Sequence, residues 1–364
     1  MRAELQFLGA AGTVTGPRFM LRVNGRWLDE RLGLSGVRYL VPAHANSLPY
    51  LLGGISFFGF LILIASGIYL AQFYHPQPAD AHNSIIYIIT GAPLGDLVRS
   101  IHFWTAQIVT VTVLLHLLRV LFTGSYKRPR EINWYVGLGL LAVTMGLVFT
   151  GTVLKWDQEA VEALQHNIET AKILGALGAW FSPEFSRSAP LLSRLFNGHA
   201  TILPLLFALL IGVHIYLIKQ HGISPKATEG AVSHATSGQG DSRFSIHLKR
   251  MAGYGLFTFA LVLVLSLVFP APLGQAGVSG VELTKPWWMF VWLFPAEEIW
   301  GARALIIVPA VLGGLLALVP ILDRSPYLSP RRRKVLLWVA AASLLIVVIS
   351  GVVAGLQPVA GHLE

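Results

Sequence analysis

Cysteine is absent from the 364-residue chain, and Asp, Glu, Lys and Arg together supply only 12% of it, against roughly 25% in a soluble protein. Without cysteine there can be no disulfide, thiolate metal site, iron–sulfur ligation or thioether-attached haem on this chain. What fills the space is apolar: 54% of residues are hydrophobic and the mean hydropathy is +0.63. The apolar residues recur in runs long enough to cross a bilayer, about 20 residues each. The N-terminal MRAELQFLGAAGTVTG lacks the continuous apolar core of a cleavable signal peptide. The chain therefore reads as an all-α, multi-pass membrane protein.

Seven spans are expected, at Leu48–Phe73, Ile101–Phe122, Trp134–Leu154, His199–Lys219, Met251–Phe269, Ala302–Leu322 and Val335–Leu356. The formal charge of +9 invites a nucleic-acid partner, but its distribution sets topology instead. Nineteen Lys and Arg fall in the N-terminal tail and the loops after spans two, four and six, against seven on the opposite face. The positive-inside rule then places the N-terminus in the cytoplasm of a cell membrane. Outer residues 155–198 mix polar and apolar stretches in the manner of surface-lying helices, and residues 270–301 are rich in Pro, Gly and Trp. The Ser/Gly-rich segment 224–246 reads as a flexible linker. It separates a four-span part, residues 27–223, from a three-span part, residues 247–364.

Four histidines lie within spans. Fourteen positions along an α-helix turn about 1400° and rise about 21 Å, so His102 and His116 of the second span point one way at two depths. His199 and His214, fifteen apart on the fourth span, repeat the ladder over about 22 Å. Both spans run from outside to inside, which pairs His102 with His199 at the outer level and His116 with His214 at the inner level. Ionisable groups inside a membrane are costly, and two imidazoles facing across a bundle can grip a flat iron macrocycle axially. A core histidine bonded to backbone is the plainer alternative for any single one. Zinc is disfavoured, for neither level offers cysteine or an acidic neighbour. Gly53 and Gly67, and Gly137 and Gly151, share the fourteen-residue repeat. They would let a porphyrin edge approach the backbone, or simply pack helices. Arg99 and Arg119, each three residues from a histidine, could pair with haem propionates or anchor the helix at the interface.

WLDERLGL, VPAHANSLPYLLGG, RSIHFW, LLHLLRV, TGSYKRPREINW, TGTVLKWDQ, GHATILP and KQHGISP together resemble cytochrome b of the Rieske/cytochrome b complexes, over about residues 27–356. The fifteen-residue interval and the seven spans resemble the photosynthetic form, with its four-span cytochrome and three-span partner fused into one chain. The resemblance implies two b-type haems, an outer one on His102 and His199 and an inner one on His116 and His214. It implies quinol oxidation near the outer face, quinone reduction near the inner face and coupled proton translocation. It also implies a Rieske iron–sulfur protein and a c-type cytochrome or similar acceptor as partners, within a dimeric complex in lipid. On one side of the outer quinol site TGTVLKWDQ brings Trp156 and Asp157. On the other side the family commonly has Pro-Glu-Trp-Tyr, whose acid takes a quinol proton. Here Pro286 is followed by Trp287, and Glu297 and Glu298 are candidate replacements, or mere outer-loop charges. Lys219 and His221 could serve the inner quinone or a propionate, or anchor the helix end. The photosynthetic form's cysteine-linked haem is excluded, because Leu51 stands in that place.

Two other functional readings compete. A di-haem membrane anchor of another quinone-linked dehydrogenase or reductase would need no spans beyond the fourth, and a transporter with structural histidines would show no haem spectrum. Residues 1–26 alternate like a β-hairpin and resemble the opening strands of metallo-β-lactamase-fold hydrolases without their metal motif. They read as a cytoplasmic appendage.

Overall fold

The structure, a computed structural model, describes residues 40–233 and 242–358. The N-terminal appendage and residues 234–241 of the linker lie outside these. Among the described residues eleven α-helices follow in chain order: α1 (Leu48–Leu70), α2 (Ala81–Thr90), α3 (Gly95–Thr123), α4 (Glu131–Val153), α5 (Gln158–Leu174), α6 (Leu191–Asn197), α7 (Leu203–His221), α8 (Phe244–Val268), α9 (Phe294–Trp300), α10 (Ala304–Leu322) and α11 (Lys334–Leu356). Among the described residues seven helical runs are long and apolar enough to cross a membrane: α1, α3, α4, Leu191–His221, α8, Val291–Leu322 and α11. Their outer faces leave Ile68, Leu209 and Trp338 exposed, an arrangement that lipid rather than water accommodates.

Helices α1, α3, α4 and α7 form a four-helix bundle. Its middle is sealed by Phe60, Val109, Val143 and Phe207, one buried side chain from each helix, with the two phenyl rings 3.9 Å apart. Phe60 lies seven residues from both Gly53 and Gly67, and Val109 seven residues from both His102 and His116. A dry layer therefore divides the bundle into two chambers. A second buried cluster, with Val153, Leu192 and Leu195, closes one end. A third closes the other and joins Tyr126 and Trp134 to Val319 of α10.

The rear helices dock on this bundle through small residues and buried polar contacts. Gly54 meets Met251, and Gly255 meets Phe58. The two-residue strands Leu40–Val41 and Ser242–Arg243 pair antiparallel, and Asn46 donates to Ser242 Oγ at 2.9 Å while its carbonyl accepts from Arg250 at 3.0 Å. Near the opposite ends of α3 and α10, Lys127 and Asp323 form a buried ion pair at 2.6 Å, and Arg333 lies 3.7 Å from the same carboxylate. Linker residues 224–233 are tied down, with Ser233 N donating to Pro326 O and its own carbonyl accepting from Arg130.

The helices outrun the expected spans where polar residues continue them. Helix α3 starts at Gly95, because Asp96–Ser100 is helical although not apolar. The fourth span begins at Leu191 and the sixth run at Val291. That sixth run is broken at Gly301, whose φ of 60° suits a residue without Cβ. Outer segment 155–198 does contain a helix, α5, capped by Asp157 Oδ1 accepting from Ala160 N at 3.1 Å.

Candidate functional site

The four span histidines converge in two pairs. His102 and His199 face each other with ring centroids 6.3 Å apart. Metal–imidazole bonds of about 2 Å would separate two such centroids by about 6.2 Å, so the spacing fits one metal between them. The rings border a cavity of about 630 Å³ that Gly67, Gly151, Arg99 and Trp287 also line. His116 and His214 lie within electrostatic reach of each other one chamber away.

The His102 and His199 imidazoles are oriented by hydroxyls. Ser66 Oγ donates to Ile62 O at 2.7 Å and lies 2.9 Å from His102 Nδ1. Thr150 Oγ1 donates to Gly146 O at 2.7 Å and lies 2.9 Å from His199 Nδ1. Each hydroxyl has spent its only proton on the backbone, so it can only accept from the imidazole. Both rings then carry their proton on Nδ1, which leaves the Nε2 lone pairs for a metal. The level of His116 and His214 is built differently. His116 Nδ1 faces Arg119 Nη2 at 3.4 Å, and Arg119 stacks over Tyr50 at 4.9 Å. Arg119 Nε is buried without a hydrogen-bond partner among the described residues, as suits a chamber with an anionic guest, while the His214 ring bonds the Asn133 backbone.

The glycines match the histidines one to one. A Cβ on Gly53 would lie 2.9 Å from His116 Cε1, and one on Gly151 3.0 Å from His199 Cε1. The corresponding distances are 3.4 Å for Gly67 and His102, and 3.6 Å for Gly137 and His214. Gly53 and Gly151 thus clear room for an imidazole edge, while at Gly67 and Gly137 a Cβ would make ordinary contact with the ring. The odd fifteen-residue interval has a structural cause. Residues Gly198–Ile202 form a π-helical turn, which absorbs one extra residue and restores the register of a fourteen-residue α-helical step.

A second cavity, of about 420 Å³, lies between α4, α5 and α9. Pro286, Trp287 and Glu297 line it, and Thr152 and Trp287 border both cavities. His166, Glu162 and Glu282 line it too. His166 Nδ1 lies 2.9 Å from Glu297 Oε1, and its Nε2 lies 3.4 Å from Glu282 Oε1. Burial alone would lower the pKa of His166, but the carboxylates of Glu297, Glu282 and Glu169 outweigh it and raise the value above 6.5. Glu162 is committed to structure, accepting from Leu283 N at 2.7 Å and Thr284 N at 3.1 Å.

Comparison with known proteins gives the family. Residues 107–276 match the family model described as cytochrome b(N-terminal)/b6/petB. The cytochrome b subunit of the cytochrome bc complex of Chlorobaculum thiosulfatiphilum is 33% identical over 321 residues, covering 82% of this chain and 73% of that one. The chain belongs to the cytochrome b family. Cytochrome b6 of Heliobacterium mobile is 37% identical over 208 residues, which cover 54% of this chain and 98% of that protein. The cytochrome b subunit of menaquinol:cytochrome c reductase from Geobacillus thermodenitrificans is 36% identical over 215 residues, 54% of this chain and 96% of that one. A solved hyperthermophilic respiratory Complex III superposes with a TM-score of 0.75 at 25% identity, covering 92% of this chain and 91% of that one. This cytochrome b thus extends well beyond a b6-length unit, in keeping with a four-span cytochrome fused to its three-span partner. Family membership implies b-type haem and a role in electron transport, and the lack of cysteine accords with haem that is not thioether-linked.

Several expected site residues occupy supporting positions in this cytochrome b. Arg99 lines the 630 Å³ cavity and donates to Ala271 O at 2.7 Å and Pro272 O at 2.5 Å. Asp157 caps α5 and accepts from Gly274 N at 3.1 Å. Trp156 turns the chain there at φ 52°. Neither lines the 420 Å³ cavity, and neither does Glu298, whose Oε2 accepts from Gln357 at 3.3 Å. Lys219 is exposed at the end of α7, and the carbonyl of His221 accepts from Arg130 at 3.0 Å. Sequence reasoning missed His166, Glu162 and Glu282. Glu159, Glu162 and His166, spaced three and four apart, mark one helical face, and that polar stripe was the available signal.

Proposed function

We propose that this chain is the cytochrome b subunit of a quinol oxidoreductase, with quinol oxidised at the outer face and quinone reduced at the inner face. The observation that carries the reading is the pair His102 and His199, 6.3 Å apart beside a 630 Å³ cavity, with a glycine opposite each ring. His102 and His199 would hold an outer b haem, and His116 and His214 an inner one. Bound haem supplies one-electron redox chemistry at each level. Gly53 and Gly151 leave space for the His116 and His199 rings, and Gly67 and Gly137 stand opposite the other two. Arg119 offers its unmet Nε to an inner propionate, with Lys219 and His221 at the same end, and Arg99, which lines the 630 Å³ cavity, would stand beside an outer one.

The 420 Å³ cavity is the outer quinol site. Pro286 and Trp287 form its wall toward the haem chamber, Glu297 takes a proton, and Trp156 and Asp157 hold the segment that shapes it. Glu298, outside the cavity, has a supporting role at most. Residues 27–223 form the di-haem domain, residues 224–246 the connection, and residues 247–364 the part that closes the quinol site. A relative bears the name menaquinol:cytochrome c reductase subunit, which supports a quinol substrate and a c-type cytochrome acceptor. An iron–sulfur partner must bring its own cysteines. The basic-residue distribution supports a cell-membrane location with the N-terminus in the cytoplasm; proton translocation by a dimeric complex joins the proposal through the family resemblance alone.

Quinol added to the purified complex should reduce b-type haem seen in the optical spectrum. A preparation with no reducible b band would end the reading.

A further inference from the structure

The family's proton-accepting acid has no counterpart at its usual place, where Trp287 stands, yet the 420 Å³ cavity is rich in buried proton carriers. Glu297 and Glu282 are 5% and 4% exposed at their side chains and His166 is 17% exposed, and all three line the cavity. They come from three places: His166 from α5, Glu297 from α9, and Glu282 from the loop before Pro286. The imidazole lies between the two carboxylates, with Nδ1 toward Glu297 at 2.9 Å and Nε2 toward Glu282 at 3.4 Å. Carboxylate–imidazole–carboxylate is the arrangement of a two-ended proton relay, because imidazole can take a proton on one nitrogen while releasing one from the other.

We propose that Glu297, His166 and Glu282 form the proton exit of the outer quinol site, with His166 as the relay between an accepting and a releasing carboxylate. The proposal rests on the reading that the 420 Å³ cavity takes quinol. In the working state the ring is neutral, with its proton on Nε2, and both carboxylates are ionised. A quinol O–H bond breaks toward Glu297, and its electron pair stays on oxygen to leave a quinolate. Nδ1 takes the proton from Glu297 to give a transient imidazolium, and Nε2 then passes its proton to Glu282. The neutral ring regains its Nε2–H tautomer by proton exchange with water before the next quinol. One O–H bond is lost from quinol, one is gained at Glu282, and the cluster takes up a single positive charge. Glu282 then releases the proton to the outer phase.

The surroundings favour the transient imidazolium. On its own helix His166 shares α5 with Glu159, Glu162, Glu169 and Lys172, and the turn Gly301–Arg303 packed against α5 brings Arg303. Glu282, Glu297 and Glu298 come from the facing loop and α9. Lys155 is drawn to Asp157 and Glu159 instead. The Glu297, Glu282 and Glu169 charges raise the pKa of His166, so the imidazolium is accessible near neutral pH. At lower pH the ring already holds both protons, Nδ1 has no lone pair to offer, and turnover falls.

The test is quinol turnover by the purified complex across pH, with the dithionite-reduced b spectrum recorded for every variant. His166→Gln should cut kcat about 100-fold, within the usual range for a lost proton-transfer group, leave KM and the b spectrum nearly unchanged, and abolish the acid limb. Glu282→Gln should lower kcat similarly, because the exit is blocked while Glu297 remains. Wild-type kcat and an unaltered acid limb in His166→Gln would overturn the relay. If that variant fails to incorporate haem, wild-type kcat in Glu282→Gln would overturn it instead. A wild-type complex whose b haem dithionite reduces but quinol does not would overturn the quinol-site reading itself, and the relay with it.

Discussion

Replacing the four bundle glycines by alanine, one at a time, should produce a graded loss of haem. At Gly53 the new Cβ would lie 2.9 Å from His116 Cε1 and 3.2 Å from its Nδ1, and at Gly151 3.0 Å from His199 Cε1. The His199 imidazole cannot swing away, because it is held by Thr150. Overpacking of this kind costs about 1–3 kcal/mol, and the gain from Gly→Ala within a helix returns at most about 1 kcal/mol. The net cost of up to about 2 kcal/mol corresponds to as much as about 30-fold in haem affinity. At Gly67 and Gly137 the contacts are 3.4 and 3.6 Å, so the overpacking cost vanishes and the helix gain remains. Gly53→Ala should therefore deplete the inner haem and Gly151→Ala the outer one, while Gly67→Ala and Gly137→Ala keep both. Haem per chain by pyridine haemochrome, with a redox titration to tell the levels apart, measures this. Equal loss in Gly137→Ala and Gly53→Ala would refute the reasoning.

Three further outcomes follow from local geometry. Thr150→Val removes the acceptor of the His199 Nδ1 proton and leaves a buried donor unmet, at about 1–3 kcal/mol. It should shift the potential of the outer haem alone in a redox titration, and Ser66→Ala should do the same through His102. Lys127→Met breaks a buried ion pair whose side chains are 3% and 6% exposed, which costs about 3–5 kcal/mol. It should lower the melting temperature in detergent far more than Arg331→Met, whose pair with Glu229 is 78% and 72% exposed. His166 has a pKa raised by its carboxylate neighbours, so its pairing stabilises the fold fully below the unfolded value near 6.5 and is lost as pH climbs through the folded value. The melting temperature of wild type should exceed that of His166→Gln by most at acidic pH, with the gap closing as pH rises.

Much of this molecule was legible because bilayer length and helical period act directly on sequence. The seven spans, the two-level histidine ladder and the matching glycine repeat all follow from those two constraints. The helix ends were less legible, since hydropathy marks the lipid-facing part of α3 and not its polar first turns from Gly95. The π turn at His199 left only an unexplained fifteenth residue in the sequence. His166 stayed hidden because its partners Glu282 and Glu297 lie more than a hundred positions away on segments that only the tertiary fold brings together. Asp157 illustrates the converse: its motif matched, but its oxygens are occupied by the amides of Ala160 and Gly274.

The most direct test of the two-level ladder is a redox titration of the b spectrum in four single variants, His102→Leu, His199→Leu, His116→Leu and His214→Leu. The wild type should show two one-electron components per chain. His102→Leu and His199→Leu should erase one component, and His116→Leu and His214→Leu the other. A single component in the wild type, or the loss of one component in both His102→Leu and His214→Leu, would contradict the pairing.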